Sequence, residues 1–105
     1  MLLLLEHCIN HPARLPPGEA ETLTGQLDGW RLADDYLERS FEFGSYQDTI
    51  AFVNALAWIA QRENHHPELT VSFGECRVRW CTHSAGGLTR NDFICAAKVD
   101  ALFLA

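Results

Sequence analysis

The spacing of hydrophobic residues changes repeatedly along this chain, and these changes constrain its fold more than any other feature. Apolar and polar residues alternate from Tyr36 to Phe43, as in a strand with one buried face, whereas apolar residues recur at helical spacing from Tyr46 to Glu63. Pairs of strands separated by helices that are apolar on one side predict an α+β domain, with an antiparallel sheet covered on one face by helices. The predicted elements are a helix opened by Pro16–Pro17 and stopped at Gly29, strands at Trp30–Leu32 and Tyr36–Phe43, a helix at Tyr46–Glu63, strands at Leu69–Phe73 and Cys76–Cys81, and a closing helix capped by Thr89 and Asp92.

The long central helix has sequence signals at both ends. Ser45 is a predicted N-cap, Asn64 is a predicted terminator, and Pro67 cannot continue a helix. His65 and His66 should therefore lie where the helix turns into a strand. The stripe predicted to face the core consists of Ile50, Val53, Leu56, Ala57 and Ala60.

A tight hairpin is predicted around Gly74–Glu75. Glycine at the first central position suits a type II′ turn, which matches the twist of the flanking strands. Phe73 then falls on the first strand of the hairpin. Continuing the alternation of the second strand places His83 on the side opposite Val78 and Trp80.

Residues 1–15 are predicted to form a leader, and residues 16–105 a single domain. The segment from Asn10 to Gly18 holds three of the four prolines, so the leader should cross the surface before the fold proper begins. A chain of 105 residues is large enough for one core and too small for two.

Charge and hydropathy exclude several classes of partner. A formal net charge of −6 argues against direct contact with a nucleic acid, because that contact needs clustered Lys and Arg. No stretch approaches membrane-spanning length, and the short apolar run after Met1 has no basic leader, so no membrane contact is expected. Without paired spacing, four residues are interpreted as reduced thiols of a cytoplasmic protein: Cys8, Cys76, Cys81 and Cys95.

Three of the five histidines, His65, His66 and His83, fall at the ends of predicted elements. Site residues often project from such positions, and a cluster of imidazoles can hold both a proton donor and a proton acceptor near neutral pH. His65 and His66 cannot both point into a core from an extended turn that Pro67 fixes. The sequence therefore predicts one site built on these histidines.

Three imidazoles can also hold zinc with one coordination position open. Neighbouring side chains in an extended segment diverge, however, so His65 and His66 would not easily reach the same ion. No carboxylate spacing completes a metal-ligand motif. Acid–base chemistry without a metal is the preferred interpretation, and a zinc-dependent hydrolase is a further alternative.

Several short motifs then follow one another along the chain: Asn64-His65-His66-Pro67-Glu68, Phe73, Thr82-His83, Gly87-Leu88-Thr89 and Asp92. In this order and spacing they closely resemble the pterin-4a-carbinolamine dehydratases. That family has a His-His-Pro triplet, an aromatic residue on the next strand, a Thr-His pair at the end of the hairpin and an aspartate opening the last helix. By motif placement, the resemblance covers the chain from about Trp30 onwards.

The resemblance implies a four-stranded antiparallel sheet with helices on one face, in agreement with the order predicted from the residues. It also implies a homodimer or homotetramer and a pterin substrate, with no metal or organic cofactor. Members of the family dehydrate 4a-hydroxytetrahydrobiopterin to quinonoid dihydropterin, which recycles the cofactor of aromatic amino acid hydroxylases. An acid must protonate the departing oxygen while a base accepts a ring-nitrogen proton, and imidazoles can divide these roles.

The resemblance suggests that His65 and His83 approach the pterin, either acting as the acid according to which face carries the hydroxyl. His66 would orient and polarise the site. Phe73 is a candidate wall for the flat pterin and equally a candidate core residue, and Asp92 is a candidate pterin ligand, although a helix cap is preferred for it. The predicted substrate-binding residues are Pro67, Phe73, Thr82 and Asp92.

One position departs from the family pattern. Many relatives have an acidic residue four positions before the first histidine of the triplet, where this chain has Gln61. Glu63 is close in sequence but lies on another face of the predicted helix. Loss of a carboxylate could weaken an acid–base relay, so the alternative function is a non-catalytic module that binds pterin, molybdopterin or another protein.

Overall fold

The computed structural model describes residues 2–104, and Met1 and Ala105, the ends of the predicted leader and domain, lie outside the described residues. Four strands form one antiparallel sheet in the order β1-β2-β4-β3, with helices packed against it, so the predicted fold class is confirmed. Among residues 2–104, no helix is both long and apolar enough to cross a membrane. The main elements are α1 (Glu19–Thr24), β1 (Arg31–Ala33), β2 (Tyr36–Glu42), α2 (Tyr46–Glu63), β3 (Glu68–Ser72), β4 (Glu75–Trp80) and α3 (Arg90–Asp100).

The core lies between the sheet and the two longer helices. Side chains of a strand point alternately to opposite faces, so Leu37 and Phe41 of β2 and every second residue of β4 are buried towards the helices. The register places Leu37 opposite Trp80 and Phe41 opposite Cys76. The core residues that the two strands and two helices contribute are Leu37, Phe41, Cys76, Val78, Trp80, Phe52, Leu56, Phe93, Ile94, Cys95, Ala96 and Val99.

Helix α2 has the predicted bounds, but the side that it buries differs in part from the predicted stripe. Ser45 accepts a hydrogen bond from the Asp48 backbone N–H at 3.1 Å, and Asn64 ends the helix in the left-handed conformation. The predicted stripe was partly wrong, because Ala57 is exposed. Phe52, which was not in the predicted stripe, packs on Phe41 with ring centroids 4.7 Å apart, so the side of the helix that carries Phe52 faces the core. The residues of α2 that are fully buried are Thr49, Phe52, Leu56 and Ala60.

Helix α1 is much shorter than predicted. It ends before Gly25, and the chain continues through turns to Gly29, which has a φ of 83°. Glycine has a low helix propensity, and Leu23 already buries the apolar side of α1. The prediction of one helix up to Gly29 was therefore wrong.

The β3–β4 hairpin turns one residue earlier than predicted. Ser72 pairs with Glu75, so the turn residues are Phe73 and Gly74, and neither has a positive φ. The predicted type II′ turn at Gly74–Glu75 was wrong. Hydrogen bonds from the Thr49 hydroxyl to the Phe73 carbonyl and from the Phe43 amide to the Gly74 carbonyl, at 3.0 and 2.8 Å, fix this register.

The predicted leader packs on α3 instead of only crossing the surface. Leu3 is buried in the core, and Arg90 donates to both carboxylate oxygens of Glu6 at 2.7 and 2.6 Å. Asn91 exchanges two hydrogen bonds with the backbone of Ile9, at 3.1 and 2.9 Å. The segment from Leu3 to Ile9 is therefore part of the packed fold.

Glu63, at the end of α2, is a second anchor of the leader. Its carboxylate accepts the Cys8 backbone N–H at 2.8 Å and lies 3.1 Å from His7 Nδ1 and 3.9 Å from Lys98 Nζ. Burial alone raises the pKa of Glu63, but the hydrogen bonds from Cys8 and His7 outweigh it and hold the pKa below its ordinary value of 4.5. The carboxylate thus stabilises the fold in its charged form.

We predict that Glu63→Gln lowers the free energy of unfolding at pH 7 by about 1–2 kcal/mol, because hydrogen bonds to a charged acceptor are lost. A pKa lowered by folding gives stability that is full above the ordinary value of 4.5 and is lost as the pH falls through the folded value. The difference between wild type and variant should therefore shrink from pH 5 towards pH 3 in urea unfolding. Glu42→Gln, at an exposed position, is the control, and a gap that stays constant with pH would contradict the anchor.

Candidate active site

His65 lies in the turn between α2 and β3, where Asn64 reverses the chain. Its Nε2 is 2.6 Å from Oδ1 of Asp92, and its side chain is only 12% exposed. Its ring stacks on Trp80, with centroids 5.4 Å apart and planes 18° apart. The imidazole is thus held in one orientation by a carboxylate at its edge and an indole on its face.

Asp92 is fully buried at the start of α3, where its carboxylate meets three donors. Oδ1 faces His65, while Oδ2 accepts the Thr82 hydroxyl at 2.8 Å and the Thr89 backbone N–H at 2.9 Å. The contact with Thr89 belongs to a capping box, so the preferred interpretation of Asp92 as a helix cap is confirmed. Its direct contact with a pterin stays a prediction, and protein groups already occupy both of its oxygens.

The contact with Asp92 decides which nitrogen of His65 is free. A carboxylate accepts hydrogen bonds, so Nε2 carries the hydrogen and donates it to Asp92. In the neutral ring, Nδ1 then keeps its lone pair. His65 therefore has the geometry of a base whose conjugate acid is stabilised by a buried carboxylate.

His83 lies in a short 3₁₀ turn, His83–Ala85, after β4, and its side chain is 75% exposed. Its Nε2 is 3.8 Å from Oε2 of Glu68, and its ring meets Tyr36 edge-on, with centroids 6.1 Å apart. It borders a cavity of about 260 Å³. The residues lining this cavity are Asp35, Tyr36, Cys81, His83, Gly86 and Gly87.

Tyr36 and Glu68 lie beside His83, although neither was assigned a role from the sequence. The Tyr36 hydroxyl donates to Glu68, and this hydrogen bond raises the pKa of Tyr36. The Arg79 guanidinium lies 3.9 Å from the Tyr36 ring centroid, on the same face of the sheet. Strand alternation places Tyr36 on that face, but its proximity to His83 follows from the strand order.

The predicted site residues come together only in part. Hydrogen bonds link His65, Asp92 and Thr82, and His83 follows Thr82 directly. His66 and Pro67 are next to His65 in the chain, and His66 is exposed. All of these lie towards the end of the hairpin where Glu68 pairs with Arg79.

Phe73 lies at the other end of that hairpin. Its side chain is 71% exposed at the turn and stacks on Tyr46, with centroids 6.4 Å apart. The interpretation of Phe73 as a core aromatic residue on a strand was therefore wrong. Its contact with substrate stays a prediction, and within this chain the Phe73 side chain lies at the end of the hairpin away from the histidines.

Two further sequence expectations concern metal binding and Gln61. Across residues 2–104, no three His, Cys, Asp or Glu side chains are grouped so that they could hold a metal ion. Gln61 is exposed on α2, where it lines a shallow groove with Trp58 and two other residues, Asn54 and Ala57. It does not line the cavity beside His83.

Comparison with known proteins gives consistent matches. The family described as Pterin 4 alpha carbinolamine dehydratase matches residues 13–102. A protein of Nitrosomonas europaea named "Putative pterin-4-alpha-carbinolamine dehydratase" is 57% identical over 86 residues, covering 81% of this chain and 76% of that protein. A protein of Nitrosospira multiformis with the same name is 46% identical over 104 residues, covering 96% and 92%.

Two solved structures are similar in fold. A transcriptional coactivator/pterin dehydratase from Brucella melitensis superposes with a TM-score of 0.81 at 32% identity, covering 85% of this chain and 97% of that one. A pterin dehydratase-like protein described as a RuBisCO assembly factor in the alpha-carboxysome gives a TM-score of 0.62 at 29% identity, covering 73% and 92%.

We predict that neutral His65 carries its hydrogen on Nε2 and not on Nδ1, because Asp92 accepts from Nε2. Long-range ¹H–¹⁵N spectra of the imidazoles would show this assignment directly, with exposed His66 as the control within the same molecule. Asp92→Ala should let both tautomers of His65 appear. A wild-type His65 protonated on Nδ1 would contradict the arrangement.

Proposed function

The chain belongs to the pterin-4a-carbinolamine dehydratase family, and we propose that it removes water from a 4a-hydroxytetrahydropterin to give a quinonoid dihydropterin. The observation that carries this proposal is the 2.6 Å contact between His65 and buried Asp92. Asp92 also accepts a hydrogen bond from Thr82, the residue directly before His83. Two imidazoles in unlike surroundings can act as base and acid in one reaction.

His65 is the base in this proposal. Its free Nδ1 accepts a proton from a ring nitrogen of the pterin, and the imidazolium that forms keeps its hydrogen bond to Asp92. The carboxylate offsets the new positive charge where little water reaches it. Thr82 and Thr89 hold that carboxylate in place through 2.8 and 2.9 Å hydrogen bonds.

His83 is the acid. Its protonated ring gives a proton to the 4a-hydroxyl, the C–O bond breaks, and water leaves. Glu68 lies 3.8 Å away, and the open position of His83, whose side chain is 75% exposed, lets it exchange protons with solvent. His66 orients and polarises the site from its exposed position beside His65. Water and the quinonoid product account for all atoms of the substrate.

The proposed role follows from this reaction. A dehydratase of this kind recycles the pterin cofactor after an aromatic amino acid hydroxylase has used it, here in the cytoplasm. The support is the family resemblance, which extends over residues 13–102. The pterin side chain would lie in the cavity beside His83.

We also propose that the chain forms a homodimer or homotetramer through the outward face of α2. Trp58 is 69% exposed there, beside exposed Ala57 and the groove that Gln61 lines. A large exposed aromatic residue is typical of the centre of a protein interface. A second copy of this chain is the partner that the resemblance implies.

The specific alternative is a protein-interaction module. The similar structures are described as a transcriptional coactivator/pterin dehydratase and as a RuBisCO assembly factor, so relatives of this fold are linked to both kinds of role. Two features of this chain favour this alternative: the exposed face of α2 around Trp58, and the presence of Gln61 where many relatives have an acidic residue.

We predict that metal-free wild type accelerates dehydration of a 4a-hydroxytetrahydropterin, and that His65→Ala and His83→Ala each reduce kcat by about 100-fold or more, the usual contribution of a positioned acid or base. Stopped-flow absorbance in the presence of a chelator measures the rate. His11→Asn is the matched control, because it removes an exposed imidazole at a φ of 54°, which asparagine tolerates.

Wild type without any acceleration, while folded by circular dichroism, would overturn the enzyme proposal and favour the interaction module. Stoichiometric zinc in the purified protein would instead favour the hydrolase alternative. Equal loss in His11→Asn would show that the effect of the histidine substitutions is not local.

We predict that Trp58→Ser converts the assembly into monomers at low micromolar concentration, because it removes the large apolar side chain of the proposed interface. Light scattering after size-exclusion chromatography measures the mass. Ile9→Ser, at an apolar residue 66% exposed on the leader, is the control and should keep the wild-type mass. A monomeric wild type would contradict the proposed oligomer.

A further inference from the structure

Two thiols that the proposed chemistry does not use are in contact. Cys8 Sγ lies 3.5 Å from Cys95 Sγ, close enough for one thiol to donate to the other. Cys8 is half-buried on the leader, whereas Cys95 is fully buried on α3. The pair lies 87 positions apart in sequence, so the fold alone brings these sulfurs together.

The leader holds Cys8 against α3 on both sides of the thiol. The Cys8 backbone N–H donates to Glu63 at 2.8 Å, and the next residue, Ile9, exchanges two hydrogen bonds with Asn91. The Cys8 thiol also lies 3.6 Å from the Asn91 carbonyl oxygen. Asn91 and Cys95 are one helical turn apart, so Cys8 faces a single turn of α3.

We propose that Cys8 and Cys95 are a redox-sensitive pair, which a peroxide-class oxidant converts into a disulfide that ties the leader to α3. A disulfide bond is about 2.0 Å long, so the sulfurs must approach by roughly 1.5 Å. The leader at Cys8 is neither helix nor strand, and side-chain rotation there can supply this movement. The proposal is independent of the dehydratase function.

The reaction is a two-electron oxidation in two steps. The Cys8 sulfur attacks one oxygen of hydrogen peroxide, the O–O bond breaks, and sulfenic acid and water form. The Cys95 sulfur then attacks the Cys8 sulfur, the S–O bond breaks, and the hydroxide leaves as water with the proton of the Cys95 thiol. Both sulfurs are oxidised, and one peroxide is reduced to two waters.

Exposure and environment decide the order of these steps. Cys8 is the member of the pair that solvent reaches. The hydrogen bond with Cys8 and burial raise the pKa of Cys95, so it is a poor first nucleophile but is in contact with the oxidised sulfur. Burial also raises the pKa of Cys76 and Cys81, which keeps both thiols unreactive.

The bond would have a structural consequence for the N-terminal segment. It closes a covalent loop that includes most of the chain, and such a loop restricts the unfolded state more than the folded one. Leu3 and Glu6 would then stay close to α3 even when their own contacts open. Oxidation thus converts a leader held by hydrogen bonds into one held by a covalent bond.

The test treats the purified full chain with a small excess of hydrogen peroxide and then counts thiols after denaturation. We expect two of the four thiols to disappear, the intact mass to fall by two hydrogens, and a peptide map to link Cys8 with Cys95. The midpoint of thermal unfolding should rise by about 5 °C or more, and a reducing agent should reverse every change.

Cys8→Ser and Cys95→Ser should each abolish the link, and Cys95→Ser should leave a Cys8 sulfenic acid that dimedone traps. Cys76→Ala, which removes a buried thiol outside the pair, should still form it. If that variant fails to fold, the wild-type peptide map decides alone. Four thiols that persist, oxygen added to Cys8 with Cys95 free, or a disulfide to another cysteine or chain would each overturn the proposal.

Discussion

The buried carboxylate of Asp92 is the interaction on which the geometry of the candidate site depends. Removing a charged carboxylate from water costs several kcal/mol unless it is fully hydrogen-bonded, and here three donors reach it from different elements. Thr89 belongs to the start of α3, Thr82 follows β4, and His65 follows α2. One side chain thus joins the ends of three elements, and the orientation of His65 is set by the core.

Features set by contacts between residues close in sequence could be predicted, and features set by contacts between distant residues could not. The bounds of α2 were predictable because Ser45 and Asn64 act on backbone groups within a few residues of themselves. The register of the β3–β4 hairpin was not, since bonds from Thr49 and Phe43 decide it and both residues are distant in sequence. A shift of one residue moved Phe73 from a strand to an exposed turn.

The candidate active site also combines contacts that are local in sequence with contacts between distant residues. The histidines could be found from their positions at element ends, and Asp92 could be assigned as a cap from its spacing to Thr89. That the other oxygen of Asp92 faces His65, 27 positions away, requires the packing of α2 against α3. Tyr36 and Glu68 were missed for a similar reason, because β2 and β3 approach His83 only through the strand order β2-β4-β3.

The docked leader changes where the edge of this domain should be placed. Leu3 fills part of the core, and the amide of Cys8 is one of the groups that donate hydrogen bonds to the Glu63 carboxylate at the end of α2. A shortened chain that begins near residue 13, where the family match begins, would leave that carboxylate beside Lys98 with its amide donor gone and an apolar hollow on α3 open to water. The segment therefore covers the side of α3 that carries Asn91 and Cys95, and its removal would expose that side of the helix to solvent.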